Sequence, residues 1–515
     1  MDYKFINITG VFDIKSQELF RESISEIFES EEIILELIGE VYYEGVKLDV
    51  GEIANLYNKL GIDLLNVVTG IFLIVIFDVD QKELKILHDI TTSYFNLYYT
   101  FKGNKFFYST SLKKLLALSK ITTTLNNKKI SEFVQNGFIL DSNTLIKEVD
   151  KLSYFSYISI KDRLCIGVPD YKKSNIYTQE EVIENWETLL SSTVKRIYKE
   201  TGEANITLSS GFDSNYILHT LNKSSNSQIS AFCVGGEKGI NEIPAVLKIA
   251  KFYEINLYID TVLSDNLEYF PDIVWRLEGS VFECGVILQY YLGKMLSQNK
   301  ITNIICGESA DEVMNSRYHT INHNQYCIDK QNIKYFSYEE YPFYVTNSVV
   351  LKKNSLLLHS FGVHPRYPFK TAEVVEMCEK ISELNTNKMF HKENCKTQFD
   401  SYIIDKVKSI PGTTHLFTCL NMESLSEIIN YICEYNNHFS IFSFLEEDNQ
   451  FFINVRSGLI NQIDETMEDN IDRLLRFLYI IIFNEIFVRT RNIEFSKGSS
   501  FNKSLSEFIN ELWRR

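Results

Sequence analysis

Between Ala204 and Leu221 the chain passes from a short apolar run, ANITL, through SSGFDS at Ser209–Ser214 into a second apolar run with helical spacing, Tyr216–Leu221. Strand, small-residue loop and helix in that order constrain the fold more than any other segment. They put a helix N-terminus and several backbone N–H groups at the end of a buried strand, an arrangement suited to phosphate oxygens. The hydroxyls of Ser209, Ser210 and Ser214 add donors. Asp213 repels phosphate, so its presence points to a bridging Mg2+. The segment predicts a nucleotide site, although a Ser/Gly turn between strand and helix also occurs simply as a turn.

A second feature lies about a hundred residues on, in Thr302–Tyr318, TNIICGESADEVMNSRY. Ile304–Cys306 reads as a buried strand and Gly307–Asp311 as a tight acidic loop. Glu308, Asp311 and Glu312 crowd the strand's C-terminal end. In open parallel α/β sheets ligands bind outside those carboxyl ends, so the two loops are expected to converge on one crevice.

The chain has 515 residues, too many for one ordinary core, and a globular balance of 45% apolar and 23% charged residues. Its net charge of −16 argues against nucleic acid as a partner. Nine scattered cysteines without metal-ligand spacing read as reduced core residues, with no zinc site. The start MDYKFINITG lacks a basic, apolar leader, and the apolar run Ile71–Phe77 is too short to span a bilayer, so a cytoplasmic protein without membrane contact is expected. Up to about residue 172, short β-like runs alternate with hydrophilic turns, which suggests layered antiparallel sheets. Beyond it, Thr178 and Glu181 form a capping-box pattern and strands alternate with helices, the last of them over Leu474–Val488 and Leu505–Trp513. Two domains follow, 1–172 and 173–515.

These motifs carry a resemblance. SSGFDS is similar to the SGGxDS pyrophosphate loop of the asparagine synthetase family, and GESADE resembles that family's GEGADE. Cys233–Gly236 with Asn241-Glu242 resembles its strand and acidic pair, and Leu277-Glu278 its LE step. Gly362–Glu376 resembles its RxPFLDxxLVE segment, with Lys370-Thr371 in place of Leu-Asp. The resemblance implies an Ntn-hydrolase-like domain of layered antiparallel sheets (α+β), followed by a PP-loop parallel α/β domain of the adenine-nucleotide alpha-hydrolase type with a helical C-terminus.

In that family the first domain is a glutaminase whose nucleophile is a cysteine directly after the initiator Met. Here Asp2 stands there, and a carboxylate cannot replace a thiolate in acyl transfer. The turn resembling NGEIY reads IGEVY, so Ile38 replaces the oxyanion-stabilising Asn and supplies no donor. The glutamine-clamping RGPD loop has no counterpart. Leu87–Tyr99 resembles RDxxGxxPLYY, with His88 for Arg and Asn96 for Pro. The domain is expected to be inactive, as in the resembling β-lactam synthetases, carbapenam synthetases and lasso peptide cyclases, which use an amine already on their substrate.

The resemblance implies an ATP-dependent, AMP-forming amide synthetase. Ser209, Ser210, Gly211, Asp213, Ser214 and Gly307 would surround the phosphates, Leu208 and Val234 the adenosine, and Asp213 and Asp311 a Mg2+. Glu308 matches a position beside the reacting amine and serves as general base or balances a cation; Glu339 or Glu340 is its candidate partner. Lys408, in DKVKSIPGTT, is the candidate cation for charge on the α-phosphate, with Lys406 second and Arg489, Arg491 and Lys497 as another source. The favoured substrate is a peptide closed into a macrolactam, with a precursor peptide or leader protease as partner. Alternatives are a β-lactam or other small-molecule amide synthetase, a ligase using free ammonia, and a dead scaffold. Ser210 motivates the last, because the family has Gly there and a Cβ would block a positive φ or a close phosphate.

Overall fold

The computed structural model describes residues 7–89, 95–139, 141–152, 156–168, 179–236, 242–262, 267–283, 285–310, 351–371, 373–374, 377, 420–442, 445–463, 467–489, 501 and 503–512. The chain forms two compact units, one of Met1–Lys129, Ile139–Ile176 and Asn484–Gly498, the other of Ile130–Phe138, Tyr177–Phe483 and Ser499–Arg515. The units are thus not contiguous, whereas the sequence reading divides the chain once, after residue 172.

The first unit holds β1 (Thr9–Asp13), β2 (Glu18–Arg21), β3 (Glu26–Glu29), β4 (Ile33–Tyr43), β5 (Val46–Leu48), β6 (Val68–Asp78), β7 (Glu83–His88), β8 (Tyr98–Lys102), β9 (Lys105–Ser109), β10 (Asp150–Lys151), β11 (Tyr157–Ile160) and β12 (Leu164–Gly167). They make two antiparallel sheets, ordered β10-β8-β9-β1-β2 and β12-β11-β7-β6-β4-β3, with β5 on β4. Side chains of alternate residues leave a strand on opposite faces. On β6, Leu73, Val75 and Phe77 meet Phe12, Phe106 and Tyr108 of the smaller sheet. Phe72, Ile74 and Ile76 face the other way, onto Ile53, Ala54 and Tyr57 of helix α1 (Val50–Leu60). The unbroken apolar run Ile71–Phe77 is therefore a strand buried on both faces. No described helix is long and apolar enough to cross a membrane.

IGEVY, which resembles the family's NGEIY turn, lies inside β4, one of the β-like runs expected before residue 172, with Ile38 opposite Leu73 and Gly39 opposite Phe72 on β6. Gly39 has φ +99°, and a Cβ there would stand 1.9 Å from the Ile71 carbonyl oxygen. Only glycine fits so close a strand crossing.

In the second unit β13 (Asn205–Thr207), β14 (Ser230–Gly236), β15 (Asn256–Val262), β16 (Asn303–Ile305) and β17 (His364–Arg366) form a parallel sheet. The order is β15-β14-β13-β16-β17. From β13 the chain builds outward through β14 and β15, then returns to add β16 and β17 on the other side. The reversal lies between β13 and β16, where Ile206 pairs with Ile305. This is the α/β architecture expected from the alternating pattern.

The joining helices bury helical stripes. After α2 (Leu112–Ser119) and α3 (Asn127–Asn136), α4 (Gln179–Thr201) places Trp186, Leu190, Val194 and Ile197 on one face. They pack with Tyr216, Ile217 and Leu221 of α5 (Phe212–Ser224). Further along are α6 (Ile243–Tyr253), α7 (Phe270–Leu277), α8 (Val286–Gln298) and α9 (Lys352–Ser360).

One buried ionic network ties three of these helices. Asp272 on α7 accepts from Arg276 Nε at 2.8 Å, Tyr290 Oη on α8 at 2.8 Å and the Phe501 amide at 2.6 Å. Arg276 also donates to the Ser360 carbonyl at the end of α9 at 2.7 Å, and lies 3.8 Å over the Phe361 ring. Asp272→Ala would strand this guanidinium in the interior. Denaturant unfolding is expected to show a loss of about 3–5 kcal/mol in this unit, against under about 1 kcal/mol if the pair were solvated.

Candidate active site

The reversal between β13 and β16 sets the site, because the loops leaving both strands flank one crevice at their carboxyl ends. After β13, the Leu208 amide still donates to Phe232 of β14 at 2.9 Å. The Leu208 side chain sits in the core, so only its backbone can border a ligand. The half-buried Val234 lies near the end of β14.

The turn into α5 is built from its own polar groups. The Ser209 amide donates to Ser214 Oγ at 3.2 Å and the Gly211 amide to Ser209 Oγ at 3.1 Å, while the two hydroxyls stand 3.0 Å apart. Asn215, fully buried, donates through Nδ2 to the carbonyls of Ser209 (3.0 Å) and Gly211 (2.7 Å). The hydroxyls of Ser209 and Ser214, expected as ligand donors, thus shape the loop in this structure, and Asn215 is a staple that the motif reading missed. Gly211 opens α5 with no side-chain cap, and Asp213 lies in its first turn. A helix start without a cap retains its favourable field for an anion.

The acidic loop after β16 reaches this helix start. A Cβ on Gly307 would stand 3.0 Å from the Ser214 nitrogen and 3.2 Å from its Cα. Glycine at 307 therefore lets the two loops touch and keeps the approach to that amide open. Glu308 follows; burial pushes its carboxyl above the ordinary 4.5, and Gln289 of α8, beside it, offsets part of the rise. The same burial, with Glu308 nearby, holds the Cys306 thiol protonated well above its usual range.

Two residues replace glycines of the resembling motifs, with opposite consequences. Ser210 is buried and is not among the residues with positive φ, so its Cβ meets no backbone strain. Ser309 has φ +79°, in the region that penalises a side chain. The sequence points to Ser210 as the strained departure; the structure puts the strain at Ser309.

Of the other candidates, Asp311, Lys408, Lys406, Glu339, Glu340, Arg491, Lys497 and Asp2 lie outside the described residues. Arg489 pairs with Glu485 at 2.8 Å within the first unit. Among the described residues no group of three or more His, Cys, Asp or Glu could hold a metal ion. Asp213 is thus the described half of the expected Mg2+ pair. Two buried cations missed by the motif reading stand at the start of α9: Lys352, pushed down to about 7 by burial, and Lys353, pushed down to about 8 and ion-paired with Glu283. Their only sequence signal is a Lys-Lys step.

In the first unit, Ile38 is buried in the core between the sheets. His88 is buried with its ring nitrogens at 3.1 Å and 3.0 Å from the carbonyls of Asp89 and Phe95. Asn96 donates to Tyr98 Oη at 2.9 Å. These three departures from the glutaminase pattern are absorbed into packing.

Ser309→Gly tests the strain assignment. Thermal or denaturant unfolding is expected to show a gain of up to about 1 kcal/mol, since relief at positive φ exceeds glycine's added chain entropy. Ser210→Gly is expected to give no gain.

Residues 185–342 match the asparagine synthase family and residues 25–167 the glutamine amidotransferase domain family. The chain is 24% identical over 276 residues to a putative glutamine-hydrolyzing asparagine synthetase 2 of Methanocaldococcus jannaschii, covering 52% of this chain and 53% of that protein. It thus spans about half the length of this curated relative. Among solved structures, the U34-tRNA thiolase NcsA of Methanococcus maripaludis, described with its [4Fe-4S] cluster, aligns at 20% identity and TM-score 0.23, over 47% of this chain and 77% of that one. The allosteric regulatory enzyme of purine biosynthesis aligns at 9% identity and TM-score 0.20, over 47% and 48%. The two family matches and the archaeal relative, together with the loops at Ser209–Ser214 and Gly307–Ala310, support placing this chain with the asparagine synthetase family.

Proposed function

We propose that the second unit is an ATP-dependent amide synthetase that works by adenylation. A substrate carboxylate attacks the α-phosphorus of ATP and expels pyrophosphate. An amine then attacks the acyl-adenylate, loses a proton and releases AMP, leaving an amide. The observation that carries this reading is Gly307 seated on the start of α5, which brings an acidic loop against an uncapped helix N-terminus at the sheet reversal.

Ser209–Ser214 and Gly307 hold the phosphates, and the backbone at Leu208 and Val234 borders the adenosine. Mg2+ would be held by Asp213 and Asp311 and would neutralise phosphate charge. Lys408 is the proposed cation for the charge that builds on the α-phosphate. Glu308 takes the amine's proton; burial raises its pKa above the ordinary carboxylate value, which makes it a stronger base. Ile38, locked in the sheet core of the first unit, supplies no oxyanion donor for glutamine hydrolysis. We take the amine to be the substrate's own, with free ammonia as the alternative source. We favour a peptide closed into a macrolactam, supplied as a precursor peptide and trimmed by a leader protease, with a small-molecule ring closure as the alternative product.

Purified protein with ATP, Mg2+ and peptides encoded beside its gene is expected to release AMP and pyrophosphate only when the peptide is present, without added ammonium. Asp213→Ala is expected to lower that rate by at least about a hundredfold. Wild type no more active than Asp213→Ala would leave a binding scaffold as the surviving reading, and ring-closed small acids as sole substrates would replace the peptide. Glu308→Gln is expected to lower the rate about 10²–10⁴-fold. In wild type the rate is expected to fall as pH drops through a value above glutamate's ordinary 4.5, because protonation removes the base.

A further inference from the structure

The middle amide of the Ser209–Gly211 loop is already taken. Ser210 N–H donates to Glu242 Oε2 at 2.9 Å, across 32 residues of sequence. Glu242 stands at the N-cap position of α6 but makes no cap bond to its own helix, so its carboxylate is turned outward to the loop. Since β14 lies on the side of β13 away from β16, and α6 follows β14, the acceptor arrives from the flank opposite the reversal crevice.

Burial pushes the Glu242 carboxyl up, and the Ser210 hydrogen bond pulls it partly back. It also helps raise the Cys233 thiol of β14, after burial, to about 12. A half-buried carboxylate held only by Ser210 among the described residues is costly unless its position matters. The Ser210 side chain is likewise buried, with backbone outside the positive-φ region.

We propose that Glu242 is a positioning residue of the nucleotide site. It fixes Ser210, and through it Gly211 and the first turn of α5, in the binding geometry before ATP arrives. This rests on the ATP reading above. A phosphate cradle that must order itself on binding loses affinity to that ordering, and a loop latched in advance does not. The latch needs an acceptor of the right reach rather than a negative charge, which is unfavourable beside phosphates. It also explains why serine is tolerated at 210: its N–H is engaged by Glu242 and its backbone lies outside the positive-φ region that a Cβ would strain.

The test is calorimetric titration of ATP with Mg2+ into the full-length chain as wild type, Glu242→Gln, Glu242→Met and Glu242→Asp. Glu242→Gln keeps the acceptor and is expected to bind within about threefold of wild type, whereas Glu242→Met, of similar size without an acceptor, is expected to bind about tenfold or more weakly. Glu242→Asp keeps the charge but falls short, and is expected to weaken binding likewise; it carries the test alone if Glu242→Met fails to fold. Rescue by Gln but not by Asp is the pattern that a purely electrostatic role does not give. Glu242→Met or Glu242→Asp within about twofold of wild type, or Glu242→Gln as weak as Glu242→Met, overturns the assignment. Wild type that binds no ATP overturns the ATP reading with it.

Discussion

The close approach of Gly307 to the Ser214 backbone governs the chemistry open to this protein. It exists because β13 and β16 are parallel neighbours at the point where the sheet's order reverses. Each strand hands its chain to a loop at the same edge, and the two loops have nowhere to go but together. One loop supplies a helix start without a side-chain cap, the other a carboxyl whose pKa burial raises. Any larger residue at 307 would press on backbone atoms of α5, which cannot yield as a flexible side chain can.

Much around that contact is support. Asn215 holds two carbonyls of the loop from within α5, and Glu242 holds an amide from α6. The Asp272–Arg276 network fastens α7, α8 and α9, the helices that carry Gln289 and the buried lysines. The strain at Ser309 falls inside the acidic loop itself, one residue from the candidate base. Strained residues persist where the surroundings over-determine them, and they concentrate at functional sites.

The Ser209 and Gly307 loops were legible in the sequence because each directly follows a short buried strand, so the signal is local. β6 was equally legible as an apolar run of strand length, whereas its burial on both faces is seen only in the structure. The partners set by tertiary contact were not. Ser210 reads as a doubtful glycine replacement until Glu242 is seen beside it, and Ser309 reads as an ordinary loop serine until its φ is known. Ile33–Tyr43 reads as a strand, but nothing in its sequence shows that Gly39 serves a close crossing with β6. β17, three residues of His-Pro-Arg, has no strand propensity and owes its place to pairing with β16. The transfer of 130–138 to one unit and 484–498 to the other leaves no mark in composition.

On this reading nucleotide binds at the β13/β16 reversal with its phosphates on the start of α5. The most direct measurement is an experimental structure of the protein with Mg2+ and a nonhydrolysable ATP analogue. The account predicts the β- and γ-phosphates against Ser209–Ser214, with Gly307 lining the same cavity and the adenine beside Val234. Phosphates bound elsewhere on the chain, with the crevice between the two loops left to solvent, would contradict it.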